Sequence, residues 1–210
     1  MKRITALMLG LVFILSACNN EIDELETFYV KFQETLDVES EISEISDDFN
    51  RLENRRGQIQ EDLSTAERSE LNEMSESLAE NTSERLELIN EESSVMEESR
   101  TAAEESEELI GDISNEDYRQ QAEALIAAAD DRYAKHGELM ESFKNVLGSE
   151  EELFEYLQGA ENLSQDDIDD QINTLNEEYD RLTALQEEYS TATDRLNEVK
   201  REVYEILDES

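Results

Sequence analysis

The 210-residue chain contains no proline, one cysteine, one histidine and five lysines. Without proline, nothing in the covalent backbone forbids long uninterrupted helices. A single cysteine excludes a disulfide within one molecule. A single histidine leaves no second imidazole for a metal pair or a catalytic dyad. Cations are scarce as well: 17 Lys and Arg face 57 Asp and Glu, for a net charge of −40. A surface of that sign cannot release counterions from nucleic-acid phosphates, which excludes nucleic acid as a partner. Sustained apolar–polar alternation is also missing, so strands are not expected.

The longest apolar run lies at the start. Met1, Lys2 and Arg3 precede a stretch from Ile4 to Leu15 broken only by Thr5 and Gly10, then Ser16, Ala17 and Cys18. About 12 apolar residues are too few for a helix spanning a bilayer, which needs roughly 20. A basic start, a short apolar run and small residues describe a secretory signal. Leu15-Ser16-Ala17-Cys18 resembles the bacterial lipobox, in which cleavage precedes a diacylated cysteine. The expected organisation is a signal peptide over 1–17, a lipidated tether over 18–20 and a helical domain over 21–210. Two acyl chains suffice for stable anchoring. Cleavage removes Lys2 and Arg3 and no acid, leaving a net charge of −42.

High charge by itself reads as disorder, but the order of the apolar residues argues for helices. Ile22, Leu25, Tyr29, Phe32 and Leu36 recur at threes and fours, as do Ile42, Ile45, Phe49, Leu52, Ile59 and Leu63, with a register shift near Val38. Leu71, Met74, Leu78, Leu86, Ile89 and Met96 form a sparser stripe. Tyr118, Ala122, Leu125, Ala129, Tyr133, His136, Met140, Phe143 and Leu147 share one face, and Ile168, Ile172, Leu175, Tyr179, Leu182, Tyr189, Leu196, Val199, Val203 and Ile206 share another. The spacing predicts helices at about 21–62, 65–109, 115–158 and 165–208, the third bent near Gly148 and Ser149. Ser64 with Glu67, Ser114 with Asp117 and Ser164 with Asp167 read as helix starts. Gly111 and Gly159 stand where helices end. Short connections make neighbours antiparallel, so the expected fold is all-α: an elongated up-and-down four-helix bundle with coiled-coil character.

Side chains that could carry chemistry each have a structural reading. His136 falls on the apolar face between Tyr133 and Met140, and Tyr133 stands where a Glu-x-x-His di-iron motif needs its glutamate. An imagined calcium loop from Asp166 to Glu177 fails at Ile168 and Gln171. Glu150–Glu152 and the Asp166–Asp170 run read as solvated acids at helix starts, where they complement the dipole. Tyr118, Tyr133, Tyr179 and Tyr189 are expected to pack in the core with hydroxyls reaching the bundle edge. Arg51, Arg55 and Arg56 form the one tight basic cluster, a candidate contact for an anionic polymer, with Arg51 also placed to pair with Asp47. Polar residues on the seams, Arg56 and Asn81, suit a coiled coil that selects a protein partner. No nucleophile elbow or phosphate loop occurs. Neither an enzyme nor a bound metal or cofactor is expected.

Arg132-Tyr133-x-x-His136, then Glu151-Glu152-Leu153-Phe154-Glu155-Tyr156-Leu157 and Asn176-Glu177-x-Tyr179, resemble the cell-wall-binding lipoproteins of Gram-positive bacteria, the YkyA-like family. The resemblance implies an up-and-down helical bundle, lipid-anchored on the outer face of the cytoplasmic membrane, with no catalytic residues to carry over. It also implies a wall polymer as partner. Such polymers are themselves anionic, so contact with a −42 protein calls for bridging cations or for salt, which shortens the Debye length to about 3 Å at 1 M. The alternative is a scaffolding coiled-coil lipoprotein with a protein partner.

Overall fold

The computed structural model describes residues 15–63, 70–159 and 163–209, and for 15–20 and Gly159 the helical path alone. Among the described residues five α-helices occur: α1 (Leu15–Val38), α2 (Ile42–Leu63), α3 (Leu71–Glu107), α4 (Glu116–Gly159) and α5 (Gln165–Asp208). A single 3-10 turn, Glu39–Glu41, joins α1 to α2, so these two are halves of the first rod expected from the sequence. The break falls at the register shift near Val38. The result is the expected four-rod, all-α bundle, and α4 and α5, at 44 residues each, extend about 66 Å.

The expected signal peptide lies largely outside the described residues. Leu15, Ser16, Ala17 and Cys18 occupy the first turns of α1, and the helical path continues through Cys18–Asn20. The Ser64–Glu67 helix start also lies outside the described residues. α4 runs unbroken through Gly148 and Ser149.

Two apolar clusters stack along the rod. One gathers Leu25, Phe28 and Phe32 of α1 with Met96, Ala103, Leu125, Ala129, Val199 and Val203. The other gathers Leu78, Ile89, Leu139, Val146, Leu147, Phe154, Leu175 and Leu182, with Phe49, Ile59 and Leu63 of α2 against it. Phe28 and Phe32 have no exposed surface. Burying such rings contributes about 1.5–3 kcal/mol each.

The first rod meets the others unequally. Among the described residues α1 approaches α3, α4 and α5, whereas α2 approaches only α3 closely. Past the 3-10 turn, α2 reaches α4 and α5 through long side chains alone. Phe49 meets Phe143 edge to face at 5.5 Å, and Arg56 reaches Glu150 and Tyr179.

The helix ends correct one reading and support another. Asn115, not Ser114, caps α4: its Oδ1 accepts from the Asp117 and Tyr118 amides at 3.0 and 3.2 Å. Ser114 instead donates its amide to Glu24 of α1 at 2.7 Å, holding that carboxyl below its ordinary pKa. The Ser114 hydroxyl, like its amide, donates to the Glu24 carboxylate, a charged acceptor, and the side-chain carbonyl of Asn115 takes the helix amides instead. At α5, Ser164 is extended and its hydroxyl accepts from the Asp167 amide, as the sequence suggests.

Candidate functional site

α3 carries the sparsest apolar stripe because half of its seam is polar. Ser75, Leu78, Thr82, Arg85 and Ile89, then Met96, Ser99, Ala103 and Ser106 one heptad on, follow at threes and fours within each group, and all are buried. Two charged layers form where this stripe faces its neighbours.

The first layer lies inside the second apolar cluster. Arg85 of α3 and Glu150 of α4, 1% and 2% exposed, form an ion pair. Arg85 Nη1 also reaches Glu53 of α2 at 2.6 Å, and its Nε donates to Asn81 Oδ1 at 3.0 Å. Arg56 of α2 pairs with Glu150 and, at 2.8 Å, with Glu53. The Tyr179 hydroxyl of α5 donates to Glu150 at 2.6 Å, and the Arg56 guanidinium stands 5.6 Å from the centre of its ring. Two arginines and two glutamates thus close a balanced quartet across three rods, and Tyr179 ties in the fourth. Burial opposes ionisation of Glu150, but Arg85 and Arg56 outweigh it and hold the carboxyl below its ordinary pKa. Burial likewise opposes the charge on Arg56, and Glu150 with its neighbours outweighs that too. Burial, reinforced by Glu150, pushes the Tyr179 phenol up.

The second layer sits at the junction of the two apolar clusters, beside the 3-10 turn. Arg132 of α4 grips Glu39 bidentately at 2.8 and 2.7 Å and donates to the Tyr189 hydroxyl of α5 at 3.0 Å. Its guanidinium lies 5.5 Å from the centre of that ring, repeating the Arg–Tyr arrangement of the first layer. Ser99 of α3 stands 2.8 Å from both Glu39 and the Tyr133 hydroxyl. His136, one turn on from Arg132, is 3% exposed, lies 3.0 Å from Glu92 and packs edge to face on Tyr189. Burial pushes the Tyr133 and Tyr189 phenols up. For Arg132, burial works against the charge and Glu39 more than restores it.

Several residues stand elsewhere than their sequence suggests. Glu150 is not a solvated acid at a helix start but a buried anion in mid-helix, because α4 does not break at Gly148 and residue 150 falls one heptad after Phe143. The hydroxyls of Tyr133, Tyr179 and Tyr189 turn to buried partners rather than to the bundle edge. Arg51 pairs with Asp48 at 2.9 Å, not with Asp47. Arg55 faces Glu84 and Glu80 at 3.6 and 4.0 Å. The basic cluster is therefore split, with Arg51 and Arg55 outward and Arg56 inward. Arg56 and Asn81 bond within the chain, Asn81 donating to the Leu52 carbonyl at 3.0 Å, and so they specify internal register rather than an outside partner. The expected start of α5 holds, with Asp166 and Asp167 in its first turn. Arg85, Glu39 and Glu53 were not singled out from the sequence. Arg85 carried a usable signal, standing one heptad after Leu78 and four residues before Ile89.

The arrangement ties the helices to one another through charge. Each ionised side chain of the two layers is bonded to an opposite charge from another helix. Among the described residues no helix is long and apolar enough to cross a membrane.

A family model described as "putative cell-wall binding lipoprotein", YkyA, matches residues 23–206. The uncharacterised lipoprotein YkyA of Bacillus subtilis (strain 168) is 23% identical over 199 residues, covering 93% of this chain and 88% of its own. The fold is similar to the crystal structure of a conserved protein of unknown function from Staphylococcus aureus, with a TM-score of 0.76, 17% identity and 97% of each chain covered. A model that spans both charged layers and the whole of α2, α3 and α4 places the sequence: the chain belongs to the YkyA family of lipoproteins.

Proposed function

We propose that the protein is a non-enzymatic lipoprotein, anchored through Cys18 on the outer face of the cytoplasmic membrane, whose bundle contacts an anionic wall polymer through the outward face of α2. The observation that carries this reading is the division of the basic cluster. Arg51 and Arg55 remain exposed beside Asn50, Asn54 and Gln58 on the half of the first rod farther from Cys18. Their pairings with Asp48 and with Glu80 and Glu84 are solvent-exposed. Such pairs contribute about 0–1 kcal/mol, so phosphate oxygens can replace them at little cost. The chain's negative field opposes approach, and bridging cations or salt relieve it. Binding therefore strengthens with ionic strength, the reverse of ordinary polyelectrolyte contact.

Co-sedimentation with purified cell wall, with and without its teichoic acid, tests the proposal at about 0.1 and 1 M salt, where Debye lengths are about 10 and 3 Å. Retention at the higher salt is expected, lowered several-fold by Arg51→Gln with Arg55→Gln at unchanged helicity. No retention on either wall preparation overturns the proposal. In cells, Cys18→Ser releases the protein from the membrane fraction.

A further inference from the structure

The four-rod ring is closed by α1 and left ajar by α2. Where α2 stands off from α4 and α5, a groove of about 520 Å³ opens between them. Its walls are Leu63 of α2, Leu153, Phe154 and Leu157 of α4, and Ile168 and Ile172 of α5. Ile172 is 42% exposed, one of only three large apolar side chains exposed to that degree among the described residues. The inner end is closed by Arg56, Glu150 and Tyr179, already bonded to one another. Two exposed neutral amides, Gln60 and Asn176, stand on opposite edges.

We infer that this groove binds a neutral single-chain amphiphile, its hydrocarbon along the apolar walls and its uncharged hydroxyl or carbonyl head at the Gln60 and Asn176 amides. Charge decides the head. The chain carries 57 acids, yet among the described residues Glu150 is the only one in the groove lining, and its charge is matched by Arg56. Among the described residues an ionised head finds no free opposite charge there, and an unpaired charge against apolar walls is costly. Amides donate to and accept from neutral oxygens equally well.

Size decides the body. The α5 wall from Ile168 to Tyr179 is about 17 Å long at 1.5 Å per residue. The groove holds about 520 Å³, within the 300–1,000 Å³ typical of small-molecule sites. A single extended hydrocarbon chain fits a groove of that length and volume.

The test is calorimetric titration of residues 21–210 with monolauroylglycerol below its micellar concentration, alongside laurate and dodecylammonium. Expected is saturable 1:1 binding of the monoglyceride, insensitive to salt, with laurate weaker. Ile172→Glu, at an exposed position that leaves folding intact by circular dichroism, weakens binding roughly tenfold or more, equivalent to about 1.4 kcal/mol. Val30→Glu, exposed on α1 at the other end, leaves it unchanged. Absence of saturable monoglyceride binding overturns the inference, as does equal affinity in Ile172→Glu. Self-association abolished by Ile172→Glu, without monoglyceride binding, also overturns it and assigns the groove to a second copy. Wall retention through Arg51 and Arg55 is read separately, so either result stands without the other.

Discussion

Replacing Glu150 by Gln removes one of the four charges in the first layer and leaves Arg85 and Arg56 to share Glu53. Arg85 is 1% exposed and Glu150 2%, so the stranded positive charge has no route to water. Removing one partner from a buried pair typically costs about 3–5 kcal/mol, most of it the desolvation of the charge left behind. For a domain of this size each kcal/mol lowers Tm by about 2–4 °C, so Glu150→Gln is expected to melt roughly 6–20 °C lower. Removing both partners, as Arg85→Leu with Glu150→Leu, restores charge balance because Arg56 still has Glu53 at 2.8 Å. That double variant is therefore expected to lose less than the sum of its singles, with a coupling of about 1–3 kcal/mol. Urea and thermal melts followed by circular dichroism on residues 21–210 measure all four corners of the cycle. A loss below about 1 kcal/mol for Glu150→Gln, or additive singles, would refute the buried-quartet reasoning. Acid supplies a second arm. Glu150 is held below its ordinary pKa in the native state, so the native chain binds fewer protons at this position than the unfolded one. Its contribution is present above the unfolded carboxylate pKa of about 4.3 and fades as pH falls through the lowered native value. The stability gap between the native sequence and Glu150→Gln should close in that window.

At α4, Asn115→Ala should cost about 1 kcal/mol, the usual loss of a side-chain N-cap, and Ser164→Ala at α5 less, its bond being longer at 3.4 Å; urea melts check both. The phenols of Tyr29, Tyr133, Tyr179 and Tyr189 are pushed up, chiefly by burial. Since raised values favour the protonated form in the native state, their contribution is complete below about pH 10 and lost as pH rises past it. Absorbance at the phenolate band should rise in one step with alkaline unfolding for these four. Circular dichroism melts at about 0.1 and 1 M salt should show a higher Tm at the higher concentration, where repulsion among 57 acids is screened; equal values would show that the fold does not feel its net charge.

The outline of the bundle was legible because helical periodicity survives in every rod, even α3, where Leu78, Ile89 and Met96 mark the phase. The break between α1 and α2 was marked only as a register shift near Val38: the spacing predicts one helix over 21–62, and the structure interrupts it with a 3-10 turn where the shift falls. The charged layers were not legible. Arg85, Arg132, Glu39 and Glu150 look like any other charges in a chain that is 35% charged, and their burial follows from partners on other helices. Ser114 shows the same limit locally: it has the sequence of a cap, and Glu24, 90 residues away, claims it.

By itself, the sequence determined the all-helical class, the rod boundaries, the polyanionic surface and the lipobox-like start at Leu15–Cys18. Each of these is set by local composition, by periodicity or by summed charge, none of which needs a partner. Only the tertiary structure decided which charges are buried, that Arg56 turns inward while Arg51 and Arg55 turn out, and that α2 stands away from α5 to leave a groove. Those outcomes depend on long-range pairing, and a buried ion is tolerated only where the opposite charge arrives from elsewhere in the chain.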